Sequence, residues 1–172
     1  MAADAPVRVV PYDASWPQRF ERERELLLEV LGEHLAGGVH HVGSTAVPGM
    51  AAKPTVDIMA GVGSLDAARA CFEPLARADY EYAPYRPDEM HWFCKPDPVT
   101  RTFHLHLVPS DSRRFAATLA FRDALRADPE TAADYETMKR GLAERFAEDR
   151  ESYTAAKADF ILATSARALG DR

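Results

Sequence analysis

The chemistry this sequence can offer is carried by a few polar residues set among apolar ones. In Thr55-Val56-Asp57-Ile58-Met59 a single carboxylate is flanked by apolar side chains. An ionised carboxylate in such surroundings needs a partner, which a bound cation or a set of backbone donors supplies. In Thr102-Phe103-His104-Leu105-His106-Leu107 two imidazoles alternate with apolar residues. Side chains two apart on a strand share a face, so His104 and His106 point the same way while Phe103, Leu105 and Leu107 face the core. If the Asp57 strand is adjacent, Asp57, His104 and His106 make a two-histidine, one-carboxylate cluster that can hold a divalent metal, or grip phosphate directly. These three are the candidate catalytic and metal-ligating residues. The plainer alternative is a hydrogen-bonded structural role for each.

A second stretch, His41-Val42-Gly43-Ser44-Thr45-Ala46-Val47-Pro48-Gly49, ends a strand in a loop of small residues. Gly43 has no Cβ and lets the backbone approach a ligand, while loop N–H groups and the Ser44 hydroxyl form an anion cradle. Gly43, Ser44 and Thr45 are therefore candidate ligand-binding residues. The cations Lys53, Lys95, Arg101, Arg122, Lys139 and Lys157 are candidates to complete the site, although most helical cations are solvated surface. Lys139 lies among Tyr135, Met138 and Leu142, and Lys157 follows Tyr153 by four residues. Both thus flank apolar stripes from which they can reach a cleft. Trp16 and Trp92 read as core or cleft-wall aromatics rather than base-stacking platforms.

The elements that must position these groups follow from periodicity. Val7, Val9 and Val10 before Pro11 suit an edge strand. Ser15 and Gln18 read as a capping box, opening a helix with an apolar stripe of Phe20, Leu27, Val30, Leu31 and Leu35. The charge run Glu21 to Glu25 reads as its solvated face. Gly37-Gly38 is expected to end that helix, with strands over 39–42 and 55–62. Ser64 caps a helix whose inner face is Leu65, Ala68, Phe72 and Leu75. Three strands are expected over 80–85, 90–95 and 102–108. Beyond Pro109 the pattern is helical: 112–127, then a helix capped by Asp128-Pro129, then one carrying Tyr153, Ala156, Phe160 and Ala163. Strands in the middle with helices at both ends indicate an α/β (α+β) layer structure. A single domain over 1–172 is expected, with a strand-rich core about 39–108 and a helical part about 112–170.

Composition narrows the partners. The chain has 172 residues, 47% hydrophobic and 28% charged, with a formal net charge of -6. These values suit a soluble globular domain and exclude a disordered tail or a disulfide-stapled mini-protein. Bulk acidity disfavours nucleic acid as partner but allows a local basic pocket for a small anion. Cys71 and Cys94 form no CxxC pair and read as reduced thiols of a cytoplasmic protein. No apolar run reaches the length of a membrane span. A homodimer is the default expectation for assembly.

Together these segments resemble the GrpB family, a group within the nucleotidyltransferase superfamily fold that is also found fused behind dephospho-CoA kinase. The resemblance rests on Val10-Pro11-Tyr12-Asp13, Trp16-Pro17 and Phe20, on the His41 to Gly49 block, and on Lys53-Pro54 with Asp57-Ile58. It continues through Phe93, Lys95, Arg101-Thr102, His104-Leu105-His106, Phe121-Arg122-Asp123, Leu125-Arg126, Tyr135, Lys139, Tyr153, Lys157 and Phe160-Ile161. It implies a nucleotidyltransferase-like mixed β-sheet with packed helices and a C-terminal helical segment. The superfamily pattern is a strand, Gly-Ser, a helix, then a strand bearing Asp-x-Asp, with a third carboxylate on a later strand holding two magnesium ions. This chain keeps Gly43-Ser44 and Asp57. It carries Met59 at the second acid position and His104 and His106 on the later strand. The expectation is a nucleotide or phosphate ligand, with magnesium, manganese or zinc as candidate metals for nucleotidyl or phosphoryl transfer. The alternative is a catalytically degenerate nucleotide-binding or partner-supporting regulatory module. A third is a cleft for an unrelated metabolite.

Overall fold

The computed structural model describes residues 6–170; the remainder of the expected 1–172 domain lies outside the described residues. Helix α1 (Trp16–Leu31) leads into strand β1 (Leu35–Val42), followed by β2 (Val56–Val62). Two short helices, α2 (Leu65–Ala68) and α3 (Phe72–Arg77), precede β3 (Glu81–Tyr82), β4 (His91–Lys95) and β5 (Phe103–Pro109). Helices α4 (Arg113–Ala127), α5 (Pro129–Arg145), α6 (Arg150–Ala156) and α7 (Ala158–Leu169) complete the chain. The strands form one mixed sheet in the order β1-β2-β5-β4-β3. Only β2 and β5 run parallel; the other pairings are antiparallel. Among the described residues, no helix is long and apolar enough to cross a membrane.

Alternation along the strands divides the sheet into two faces. Val56, Ile58, Ala60, Leu105, Leu107 and Phe93 turn to one side and pack with Trp16, Phe20, Leu27 and Leu31 of α1 and with Leu75 of α3. On the other side Val42, Met59 and Val108 pack under Phe115 and Leu119 of α4. A smaller core joins the loop after β1 to the helices: Val47 and Met50 meet Phe121, Leu125 and Tyr135. Helices thus cover the first face, while α4 covers the second only in part and leaves the adjacent starts of β2 and β5 outside its cover.

Several local expectations are corrected. The first helix ends at Gly32, whose positive φ of 46° lets its N–H return to Leu28 O. Gly37 and Gly38 lie inside β1 instead, and Leu35 opens that strand rather than closing a helical stripe. The reason is a close approach: a Cβ on Gly61 of β2 would meet Gly37 Cα at 2.6 Å, with Phe115 over both. Ser15 makes no side-chain cap; Asp13 Oδ1 accepts from Ser15 N at 2.8 Å in its place. The expected N-terminal strand is reduced to a single bridge between Val10 and Ala52. The helix after Ser64 breaks into α2 and α3, Pro74 having no N–H to continue it. The last helix is two, broken at Lys157, and the break rotates its buried face. Thr164 and Ser165 of α7 are buried, while Ala156 and Ala163 are exposed.

Candidate functional site

Register places the candidate residues in rows across the cleft face. Val42, Asp57, His104 and Cys94 are successive cross-strand partners, and so are His40, Met59, His106 and Trp92. Paired residues share a face, so the adjacency of β2 and β5 brings Asp57, His104 and His106 together. His104 Nδ1 lies 2.8 Å from Asp57 Oδ1, and His106 Nε2 lies 3.8 Å from the same oxygen. One ligand atom from each residue falls within 4.8 Å of the others. Burial alone would push the Asp57 carboxyl up, but the hydrogen bond to His104 and the two imidazoles beside it prevail and hold it below the ordinary carboxylate range. Burial pushes His104 down, opposed by Asp57 and reinforced by His106 and Lys53.

The loop after β1 closes over this cluster. Gly43 has φ 70° and ψ -170°, a conformation essentially confined to glycine. The close fit to Asp57 at this point also leaves no room for a side chain on residue 43. Ser44 is half-buried and lies near Tyr135 of α5. Thr45 turns inward, where its Oγ1 pairs with His41 Nε2 at 2.9 Å beneath the loop. The His41 ring stacks on Phe20 with centroids 4.8 Å apart. Burial pushes it down to about 4; Asp57 opposes this, and Arg126 and Arg122 add to it, so the ring is neutral.

Of the six candidate cations, the structure brings some to the cleft and commits others elsewhere. Arg122 Nη1 donates to His41 O at 3.1 Å, and Lys139 Nζ donates to Ala51 O at 2.6 Å. Arg126, part of the segments that carry the resemblance but not one of the candidate ligand-binding residues, donates from Nε to Ala46 O at 2.8 Å. Three helical cations thus staple one carbonyl each at positions 41, 46 and 51. Glu136 Oε2 accepts from Ala51 N at 2.8 Å, so α5 holds both sides of the Ala51 backbone. The spacing of Glu136 and Lys139, three apart on one helix face, was the available signal for this clamp. Lys139 is 2% exposed, and burial draws it down to about 8, with Glu136 opposing and Arg140 assisting.

Lys95 points to the opposite face of the sheet. Its Nζ lies 2.6 Å from Oε1 of Glu23, a residue only 7% exposed. One member of the expected solvated charge run is therefore a buried ion-pair partner, because β4 delivers Lys95 beneath α1. Arg101 lies beside the cleft with its guanidinium 5.5 Å from the Trp92 ring centroid, and Trp92 in turn packs against His104. Lys53 and Lys157 converge on Tyr153, with their Nζ atoms 5.5 Å and 4.1 Å from the ring centroid. Burial, with Lys53 and Lys139 adding and Asp57 opposing, draws Lys157 down to about 7. The structure thus packs Gly43 on Asp57, gathers Asp57, His104 and His106 into one cluster, brings Lys53 and Lys157 together at Tyr153, commits Lys139 and Arg122 to backbone carbonyls, and sends Lys95 to the other face of the sheet.

The sequence and the fold are similar to those of known proteins. The sequence model described as GrpB protein matches residues 6–167. A UPF0157 protein of Streptomyces coelicolor is 38% identical over 157 residues, covering 91% of this chain and 81% of that one. A dephospho-CoA kinase of Mycolicibacterium paratuberculosis is 35% identical over 183 residues, covering 90% of this chain but 44% of its own length. The fold matches that of the conserved protein GrpB from Enterococcus faecalis with a TM-score of 0.85 at 32% identity, over 95% of this chain and 98% of that one. It also matches the Cid1 poly(U) polymerase with magnesium and 3′-dATP bound, at a TM-score of 0.53 and 13% identity, over 86% of this chain and 49% of that one. That likeness is one of fold, and it gives the mixed sheet and its flanking helices a nucleotidyltransferase-like architecture. The chain belongs to the GrpB family.

Proposed function

We propose that the cleft binds the phosphate groups of a nucleotide, which lie across the Gly43–Ser44 turn with their charge toward Lys53 and Lys157. The observation that carries this reading is the convergence of those two ammonium groups on the ring of Tyr153, where Lys157 also feels the charge of Asp57. Like charges gathered at one place favour an anionic ligand, and Lys157 is restored toward its ordinary ionisation when one binds. The loop beside them presents backbone and a hydroxyl at close range, which suits phosphate oxygens. The distant fold neighbour Cid1 holds 3′-dATP, which supports a nucleotide over a simple anion.

On this reading the activity is nucleotidyl or phosphoryl transfer to a small acceptor. Ser44 and the loop hold phosphate, Lys157 neutralises developing charge, and Asp57 with its two histidines faces the reacting group. A second reading, a nucleotide-binding module without turnover, is favoured by Met59, a thioether where the superfamily pattern has its second acid. The dephospho-CoA kinase relative, in which such a segment is part of a longer chain, favours it too. Cys71 and Cys94 are free and buried, and we assign the protein to the reducing cytoplasm as part of the same proposal.

The test is a thermal-shift and calorimetry panel of nucleoside triphosphates and inorganic triphosphate, with magnesium, manganese, zinc or a chelator. Nucleotide binding that is weakened in Lys157→Met supports the cleft as read. Product formation by chromatography then separates the transferase from the module. A panel without any phosphate-containing ligand that binds would overturn the reading.

A further inference from the structure

The fold's magnesium pair does not fit this donor set. Magnesium demands oxygen ligands in near-octahedral geometry. The cluster offers one carboxylate, Asp57, and two ring nitrogens. Met59, in the next row of the same face and 1% exposed, adds a thioether with no affinity for a hard ion.

Two features of the histidines point to a different ion. His106 Nδ1 lies 3.3 Å from Sδ of Met90, a residue only 1% exposed. A thioether has no proton to give, so the contact is favourable when Nδ1 carries the hydrogen. Nε2 of the same ring faces Asp57 Oδ1 across 3.8 Å, a gap that a cation bound to both atoms would bridge. His104 supplies the second feature. With Nδ1 donating to Asp57, its Nε2 is a buried acceptor without a hydrogen-bond partner. When Nδ1 instead gives its lone pair to a cation, the proton moves to Nε2. An N–H then replaces a bare lone pair on a ring that packs against Trp92, with centroids 4.9 Å apart.

We propose that Asp57 Oδ1, His104 Nδ1 and His106 Nε2 form a mononuclear site for a late first-row divalent ion of the zinc and cobalt class, in place of a magnesium pair. The donor separations of 2.8 Å and 3.8 Å bracket the roughly 3.3 Å spacing that bonds of about 2.0–2.1 Å impose at tetrahedral angles. Met90 acts as a positioning residue that sets the His106 tautomer, as hydrogen bonds to the outer nitrogen do in metal sites generally. Three protein ligands leave a coordination position open toward the Gly43–Ser44 loop. The inference stands on the ligand cluster and is independent of what the lysines bind.

The test uses the full chain, freed of metal by a chelator and dialysed. Cobalt(II) is titrated while its visible d–d bands are recorded, and zinc and magnesium are then added as competitors. The expected result is one equivalent of cobalt, displaced by one equivalent of zinc and retained in a large excess of magnesium. Asp57→Asn, His104→Gln and His106→Gln each weaken cobalt binding at least about 10-fold while the circular-dichroism melt confirms folding. Absence of the bands, displacement by equimolar magnesium, or undiminished binding in the folded His104→Gln/His106→Gln double variant would overturn the proposal. Calorimetry of inorganic triphosphate in chelator reports the phosphate reading separately, so either can fail while the other holds.

Discussion

Gly43 and Asp57 are packed so closely that a Cβ on residue 43 would stand 2.7 Å from Asp57 Oδ2. The turn that presents the loop and the carboxylate at the centre of the cluster are therefore one unit. Gly43→Ala meets both this clash and a backbone conformation that disfavours any side chain. The expected outcome is a loss of about 1–3 kcal/mol by chemical denaturation, accompanied by loss of both cobalt and nucleotide binding. Retention of full affinity for both in this variant would show that the contact does not shape the site.

Lys157 links ligand binding to pH. Its folded pKa of about 7 lies below the ordinary lysine value of 10.5, so between them the unfolded chain holds a proton the folded chain has lost. The associated stability is present above the unfolded value and is lost as pH falls toward 7. An anion beside Lys157 reverses the shift. Phosphate binding at pH 8 is therefore expected to take up protons and to weaken between pH 7 and 9. Calorimetry in buffers of differing ionisation heat measures the uptake directly.

Replacing Lys157 separates stability from function. Lys157→Met removes an ammonium that burial and its lysine neighbours disfavour while preserving contact with Tyr153. The unliganded protein should melt no lower than the parent. Nucleotide affinity should fall by about 10- to 100-fold, the size of a lost charge-assisted hydrogen bond. A purely structural lysine would give the reverse pattern.

The Lys139 clamp makes a different prediction. Lys139→Met leaves the Ala51 carbonyl without its buried donor, at a cost of about 1–3 kcal/mol. Amide exchange over residues 44–52 should accelerate while exchange in β2 and β5 holds, as hydrogen-exchange mass spectrometry can resolve.

The Glu23–Lys95 pair should affect folding alone. Glu23→Ala leaves a largely buried ammonium without its carboxylate, at a cost of about 3 kcal/mol in denaturant unfolding. Cobalt binding should be unchanged, because the pair lies on the opposite face of the sheet from Asp57. A change in cobalt affinity would show that the two faces are coupled.

The sequence by itself determined the strand alternation that aligns His104 with His106, the Gly43-Ser44 turn and the caps at Ser64 and Asp128. These depend on contacts within a few residues, where periodicity and side-chain chemistry act directly. Ser64 and Asp128 do accept the N–H groups of their helices. Only the tertiary structure decided what lies across long separations. The parallel pairing of β2 with β5 sets Asp57 against His104, although 47 residues separate them. The same folding turns Lys95 away to Glu23 and spends Arg122 and Lys139 on backbone carbonyls, while Lys53 and Lys157 gather at Tyr153. A cation beside an apolar stripe can meet a ligand, a carboxylate or a carbonyl. Local sequence does not distinguish these outcomes, because the partner is chosen by whichever distant element packs there and by the cost of leaving its polar group unpaired.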